Sequence, residues 1–159
     1  MIKITKMKQN GFTLIELLIV IVIILLLAVT VFVALNPSKR IKDAKDARRT
    51  ADVETILTAV HEYIVDNKGA YPSGLSAGLA EVQLGTNTSG CGITAGGCLA
   101  STAACLDLSS ALSNYLKSVP YDPGIGSASA TGYTIGVSSA GIVTVKACDA
   151  ENTTISISR

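Results

Sequence analysis

The sequence predicts an α+β fold in which one long N-terminal α-helix, membrane-spanning in its first half, packs on a small C-terminal antiparallel β-sheet. Three observations support this prediction: an unbroken apolar block before residue 36, an amphipathic stretch after it, and three strand-like runs near the C-terminus. The 159 residues suffice for one modest domain plus a long helix. The net charge of the chain is +1, so it has no excess of basic residues of the kind typical of nucleic-acid-binding domains.

The apolar block follows a short basic segment, residues 1–11, that contains three lysines and no acidic residue. From Leu17 to Leu35 the only polar residue is Thr30. As an α-helix these residues would span roughly 28 Å, about the hydrocarbon thickness of a bilayer. The sequence therefore predicts a membrane-spanning helix over 12–35.

The helix is expected to break and resume at Asn36-Pro37, because Asn is a good N-cap residue and Pro a good first helical residue. Its amphipathic continuation, 36–68, is expected to end at Gly69, which suits a C-terminal cap. Apolar residues recur at helical spacing in its second part and predict one buried face. That stripe consists of Val53, Ile56, Leu57, Val60, Tyr63 and Ile64.

Residues 69–159 are expected to form a globular head. Within it, 75–106 is rich in Gly, Ser, Thr and Ala and predicts no element, whereas the leucines after Asp107 predict a short helix that opens at Asp107 or Ser109. Three strand-like runs follow, at 131–137, 142–148 and 153–158. The short links between these runs favour antiparallel neighbours, so we expect a three-stranded meander with one face against the helical stripe.

All four cysteines lie beyond the apolar block, at Cys91, Cys98, Cys105 and Cys148. An even number on one side of a membrane segment predicts disulfides in an oxidising compartment. A zinc site is the alternative, although the spacing lacks the closely spaced pair that zinc sites use. Three pairings are open. Of these we favour Cys91–Cys98, closing a short loop, with Cys105–Cys148 tying a helix to the sheet.

The segment Gly11-Phe12-Thr13-Leu14-Ile15-Glu16-Leu17 closely resembles the N-terminal motif of the type IV pilin and pseudopilin family. The resemblance implies that a prepilin peptidase cuts between Gly11 and Phe12 and that the new Phe12 amine is N-methylated. An ordinary secretory signal is cut after its apolar region. A cut at Gly11 would instead leave the apolar helix attached as an anchor.

Glu16 is a second feature of this motif. An ionised carboxylate within a lipid-facing helix is costly and needs a partner. No Lys or Arg lies between Phe12 and Leu35 to supply one. The resemblance implies that Glu16 pairs with the Phe12 ammonium of a neighbouring subunit and sets the register of assembly. The alternative is a Glu16 near the lipid headgroups with no pairing role.

Two further segments are similar to the same family. Residues 36–49 resemble the helix that follows the membrane in compact bacterial pilins, and Pro120, Asp122 and Pro123 resemble the P-x-D-P turn of several pilins and pseudopilins. The calcium-binding loop of major secretion pseudopilins has no clear match. No metal site is therefore assigned to Asp122, Asp149 or Glu151, and no cofactor is expected.

By this resemblance the chain is a structural subunit of a type IV pilus-like surface filament rather than an enzyme. A type II secretion pseudopilin or a competence pilin is the alternative within the family. A single-pass membrane-anchored enzyme or binding domain is the alternative outside it, and no known catalytic motif supports the enzyme. The expected partners are other copies of the chain, the prepilin peptidase, the assembly platform and, before assembly, membrane lipid; contact with DNA or a surface stays open.

The precursor is expected to cross the cytoplasmic membrane once, with its C-terminal domain outside. The charge bias opposes this orientation, because 39–49 contains six basic residues and the leader only three lysines. The positive-inside rule alone would place the C-terminus in the cytoplasm. The cysteines and the cleavage motif both favour the opposite orientation, which we adopt.

Overall fold

The computed structural model describes residues 11–159, so the predicted leader, apart from Gly11, lies outside the described residues. The chain divides into two compact units, the residues up to Arg40 and Ile41–Arg159. The first unit contains helix α1, Leu14–Leu35. The second contains most of helix α2, Pro37–Asp66, and all four strands. The predicted α+β arrangement of a helix against a small antiparallel sheet is confirmed.

The break between the helices lies where the sequence predicts it. Asn36 ends α1 in the left-handed region, with φ 41° and ψ 74°, a conformation that Asn tolerates better than most residues. Its side-chain Oδ1 also accepts a hydrogen bond of 3.4 Å from the Lys39 N–H, so Asn36 caps the start of α2 as expected. Pro37 is the first residue of α2 and has no N–H that needs a partner there.

Helix α2 ends in the predicted glycine cap. Gly69 has φ 93°, which an L side chain rarely adopts. Its N–H donates to the Ile64 carbonyl at 2.8 Å and satisfies one of the last carbonyls of the helix.

The sheet has four strands in the order β1-β2-β3-β4, and every neighbouring pair is antiparallel. The strands are β1 Val82–Gln83, β2 Tyr133–Val137, β3 Val143–Ala147 and β4 Ile155–Ser158. The predicted meander is β2 to β4. The additional edge strand β1 was missed because two residues are too few to show strand alternation.

The core of the second unit forms between α2 and the sheet. The helical stripe contributes the fully buried Val53 and Ile56, and the sheet contributes Tyr133, Ile135 and Val145, all with no exposed surface. The predicted contact between the stripe and one sheet face is therefore confirmed. Burying each large aliphatic side chain of this core contributes roughly 1.5–3 kcal/mol.

The predicted short helix after Asp107 is wrong, because the chain forms turns there. Leu112 N–H bonds to the Leu108 carbonyl at 2.9 Å, and Leu116 N–H bonds to the Leu112 carbonyl at 2.8 Å. Between these turns the Ser113 hydroxyl donates a hydrogen bond of 2.9 Å to the Ser110 carbonyl. Serine side chains of this kind compete with helical hydrogen bonding. The leucine spacing instead reflects burial of Leu108 and Leu112 in the core.

All four cysteines form disulfides, as predicted, but the favoured pairing is wrong. The bridges are Cys91–Cys105 and Cys98–Cys148, rather than Cys91–Cys98 and Cys105–Cys148. The physical reason lies in how 91–105 folds back on itself. Ile93 and Ala100 pair in an antiparallel bridge, and Cys91 N–H donates to the Ala103 carbonyl at 2.9 Å. The two ends of the loop therefore meet, and its tip carries Cys98 to the end of β3.

Candidate functional site

Apart from Glu16 and Thr30, the side chains of α1 are apolar on every side of the helix, and none of them is buried against the rest of residues 11–159. The exposed fraction of its large apolar side chains runs from 46% at Val22 to 88% at Leu14. A water-soluble monomer rarely exposes so large a continuous apolar area. By length and composition the helix can cross a membrane. The apolar surface of α1 therefore fits a membrane-spanning segment.

The N-terminus of α1 carries a capping box that joins Thr13 and Glu16. The Glu16 N–H donates to Thr13 Oγ1 at 3.3 Å, while Glu16 Oε2 accepts from the Thr13 N–H and from the Thr13 hydroxyl, both at 3.0 Å. The carboxylate also lies at the positive end of the helix dipole. Glu16 therefore has a local hydrogen-bond partner in Thr13, although no Lys or Arg lies between Phe12 and Leu35.

Thr13 is the residue of this site that sequence reasoning missed. The signal was present, because Thr-x-x-Glu before an apolar run is the sequence pattern of a capping box. Both hydrogen bonds that Thr13 donates go to Oε2 of Glu16, and no hydrogen bond to Oε1 forms within residues 11–159. One carboxylate oxygen thus stays available to an outside donor.

Gly11 and Phe12 precede the helix and are exposed. Phe12 keeps 84% of its surface accessible, and a Cβ added to Gly11 would meet no atom within 4 Å. The peptide bond between them is therefore open to another protein. Phe12 and Glu16 both lie at the N-terminal end of the α1 segment.

In the second unit, a buried arginine organises four carboxylates. Arg49 has no exposed surface, and its Nε and Nη2 donate to the two oxygens of Asp122 at 2.6 and 3.1 Å. Its Nη1 donates to Asp46 at 2.8 Å and Nη2 donates to Asp149 at 2.8 Å. Glu151 lies 3.8 Å from Nη1. We call these five residues the Arg49 cluster.

The electrostatics of the Arg49 cluster favour full ionisation. Burial by itself raises the pKa of Asp122, but the Arg49 guanidinium and the N–H groups of Gly124 and Ile125 outweigh burial and hold that pKa below its ordinary value. The pKa of Asp46 is lowered against burial in the same way, by the Glu151 N–H first and then by Arg49. The pKa of Arg49 is raised, chiefly by its hydrogen bonds to Asp122.

The Arg49 cluster connects α2 to two turns of the head. Asp122 belongs to the proline-rich turn, and Asp149 and Glu151 belong to the link between β3 and β4. The turn continues with Gly124, where a Cβ would lie 2.8 Å from Asp149 Oδ2 and 3.2 Å from Arg49 Nη2. The cluster thus fixes where these segments meet.

The three acidic residues for which the sequence predicts no metal site lie beside the guanidinium of Arg49. Asp122, Asp149 and Glu151 all surround Arg49. Within the described part of the chain, no group of three or more His, Cys, Asp or Glu side chains is arranged to hold a metal ion. In the sequence, Arg49 is only one of the six basic residues of 39–49. Its position four residues before Val53, in line with the apolar stripe, was the available signal of burial.

Comparison with known protein families gives one match. Residues 6–32 match the model of the prokaryotic N-terminal methylation motif, which is the type IV prepilin and pseudopilin signal. No curated protein and no solved structure matches the chain. The resemblance drawn from Gly11–Leu17 is confirmed. The motif is a signature of structural pilin-like proteins that assemble into filaments after peptidase processing, and it fits a membrane-anchored precursor.

Proposed function

We propose that this chain is the structural subunit of a type IV pilus-like surface filament. The observation that carries the proposal is the methylation motif at 6–32 followed directly by α1, whose apolar surface is exposed on every side. A helix of this kind suits two environments in turn. Lipid covers it in the precursor, and the α1 helices of other subunits cover it in the filament core.

Under this proposal the chain has four parts, and one cut separates the first from the others. A prepilin peptidase removes the leader, 1–11, by cutting the exposed bond between Gly11 and Phe12, and the new Phe12 amine is N-methylated. The anchor, 12–35, stays attached to the amphipathic continuation, 36–68, and to the head, 69–159. The product therefore waits in the cytoplasmic membrane with its head outside until the assembly platform incorporates it.

Two features support an external head. Both disulfides lie in the head, and disulfides persist in oxidising compartments. The motif also supports a peptidase cut on the leader side of the anchor, and a peptidase that cuts at the cytoplasmic face would make the leader the cytoplasmic end. We give these two features more weight than the excess of basic residues in 39–49.

Glu16 is proposed to set the register between subunits. The capping box holds Oε2 of its carboxylate, which leaves Oε1 for the Phe12 ammonium of a neighbour. A secondary amine with one methyl group still carries a proton at neutral pH, so the ion pair survives methylation. Within an apolar helix bundle such a pair is attractive only when both charges meet, and misaligned subunits are penalised.

The test separates pairing from capping by comparing Glu16→Gln with Glu16→Leu in cells. Glutamine can replace glutamate at this position of a capping box, so Glu16→Gln keeps the helix start and removes only the negative charge. We expect both variants to insert in the membrane, and both to lose filaments from the fraction sheared off the cell surface. Intact mass of the membrane fraction reports whether cleavage proceeds.

The outcomes distinguish the two roles of Glu16. Normal filaments from Glu16→Gln, together with their loss in Glu16→Leu, would assign Glu16 to capping alone and overturn the register role. Thr13→Ser is the matched control, because serine preserves the capping hydroxyl. A wild-type chain that stays in membranes and never enters the sheared fraction would overturn the filament proposal itself.

A further inference from the structure

Two exposed cations at the start of α2 have no acidic partner in the part of the chain that the structure describes. Lys39 and Arg40 are both exposed and make no salt bridge there. The cations that follow differ, because Lys42 and Lys45 lie 3.7 and 3.2 Å from Glu151. Arg48 lies 3.7 Å from Asp52. We call Lys39 and Arg40 the basic pair.

An acidic groove lies on the outer face of α2 in the second unit. It is lined by small residues of α2 together with Tyr115 and Leu116 from the turns after Asp107. Glu54 and Glu62 both line it, are exposed, and make no salt bridge within residues 11–159. The groove encloses about 390 Å³, enough for the ends of two long side chains. We call it the α2 groove.

A further negative group contacts Tyr115, one of the residues that line the α2 groove. Asp66 accepts a hydrogen bond of 2.9 Å from the Tyr115 hydroxyl, so that carboxylate stays beside the tyrosine ring. Asp66 raises the pKa of Tyr115 through this hydrogen bond. A cation that enters the α2 groove would therefore meet carboxylates and the face or edge of an aromatic ring, surroundings that suit Arg and Lys.

We infer that the α2 groove of one copy of this chain binds the basic pair of a second copy. Charge complementarity identifies the occupant, because each copy offers both an unpaired basic pair and an unpaired acidic groove. Two different surfaces that meet in this way form a heterologous contact, and such contacts repeat without closing to build helical filaments. The inference rests on the proposed filament function and adds a second contact outside the apolar core.

Charge reversal with compensation tests this contact in the full chain. Lys39→Glu with Arg40→Glu should lower the sheared filament yield at least about tenfold, because like charges then face each other across the interface. Glu54→Lys with Glu62→Lys should do the same. All four substitutions together restore opposite charges and should return the yield to within about threefold of wild type.

A mismatched exchange is the control for net charge. Lys117 is exposed, is absent from the α2 groove, and lies instead beside a separate cavity near Leu84. Lys117→Glu combined with Glu54→Lys leaves the net charge of the chain unchanged, as the fourfold exchange does. It should not restore assembly. Rescue by this control, or failure of the fourfold exchange to rescue, would overturn the inference.

Zero-length carbodiimide cross-linking of sheared wild-type filaments gives a direct readout. This reagent joins a lysine amine to a carboxylate only when the two are in contact. We expect a covalent dimer whose peptide map joins Lys39 to Glu54 or Glu62. Filaments that yield no such cross-link overturn this contact while leaving the proposed function intact. Loss of assembly in Lys39→Glu/Arg40→Glu without rescue would instead assign the basic pair to another anionic surface, such as lipid headgroups.

Discussion

Replacing Arg49 by methionine should destabilise the head more than any change of an exposed cation. Arg49 and Asp122 both have side chains with no exposed surface, and two hydrogen bonds join them. Methionine has a similar length and no charge, so the substitution leaves Asp122 buried with only the N–H groups of Gly124 and Ile125. Breaking a buried ion pair from one side costs about 3–5 kcal/mol.

Thermal unfolding of the full chain in detergent micelles measures this loss. Near-UV circular dichroism of the tyrosines suits the measurement, because Tyr133 lies in the core of the head and α1 contains no tyrosine. The Arg49→Met change should lower Tm by roughly 10–20 °C for a domain of this size. Arg48→Met is the control, since Arg48 is 57% exposed and lies 3.7 Å from Asp52. It should cost less than about 1 kcal/mol.

A second substitution tests whether the buried charge is the cause. Adding Asp122→Asn to Arg49→Met removes the unpaired carboxylate, so the double variant should be more stable than Arg49→Met alone. If Arg49→Met unfolds at the same temperature as Arg48→Met, the Arg49 cluster does not stabilise the head and the reasoning fails.

The remaining predictions concern acid stability and the disulfides. The folded-state pKa values of Asp122 and Asp46 are lowered, so their contribution to stability is complete above their unfolded pKa of about 4 and is lost as pH falls through the folded values. Tm of the wild type should therefore drop as pH falls below about 4, whereas Arg49→Met should lose less, and an equal loss would contradict the assignment. Replacing Cys98 and Cys148 together by serine should cost about 4 kcal/mol and replacing Cys91 and Cys105 about 3 kcal/mol, because the first bridge closes the longer loop. Non-reducing peptide mapping checks the pairing, and a Cys91–Cys98 peptide would refute it.

The parts of the fold with a repeating pattern could be predicted from the sequence. The stripe from Val53 to Ile64 repeats at helical spacing, and the runs that became β2, β3 and β4 have strand composition, so both kinds of element were found. Asn36, Pro37 and Gly69 act through local backbone preferences, and their roles at the ends of the helices were predicted correctly.

The parts that depend on contacts distant in sequence could not be predicted in this way. Strand β1 is defined by its pairing with β2 rather than by its own two residues. The disulfide pairing follows from the β-bridge between Ile93 and Ala100, which cannot be predicted from these two residue types. Arg49 is 73 residues from Asp122, so its burial depends on a turn whose position the helix sequence does not encode.

In the candidate site, too, residues in a local motif could be predicted and residues brought together by folding could not. Gly11, Phe12 and Glu16 belong to one short motif, and their roles are predicted from its resemblance to the type IV pilin family; the family match covers the same segment. Thr13 was overlooked although its capping pattern is local. The α2 groove combines α2 with the turn that contains Tyr115, so only the folded chain brings its residues together.

Intact-mass and N-terminal analysis of the protein sheared from the cell surface tests the central claim most directly. The account predicts a chain that begins at Phe12, carries one added methyl group on its amine, and is recovered in filaments. A stable soluble monomer that still begins at Met1 would contradict processing, anchoring and assembly together.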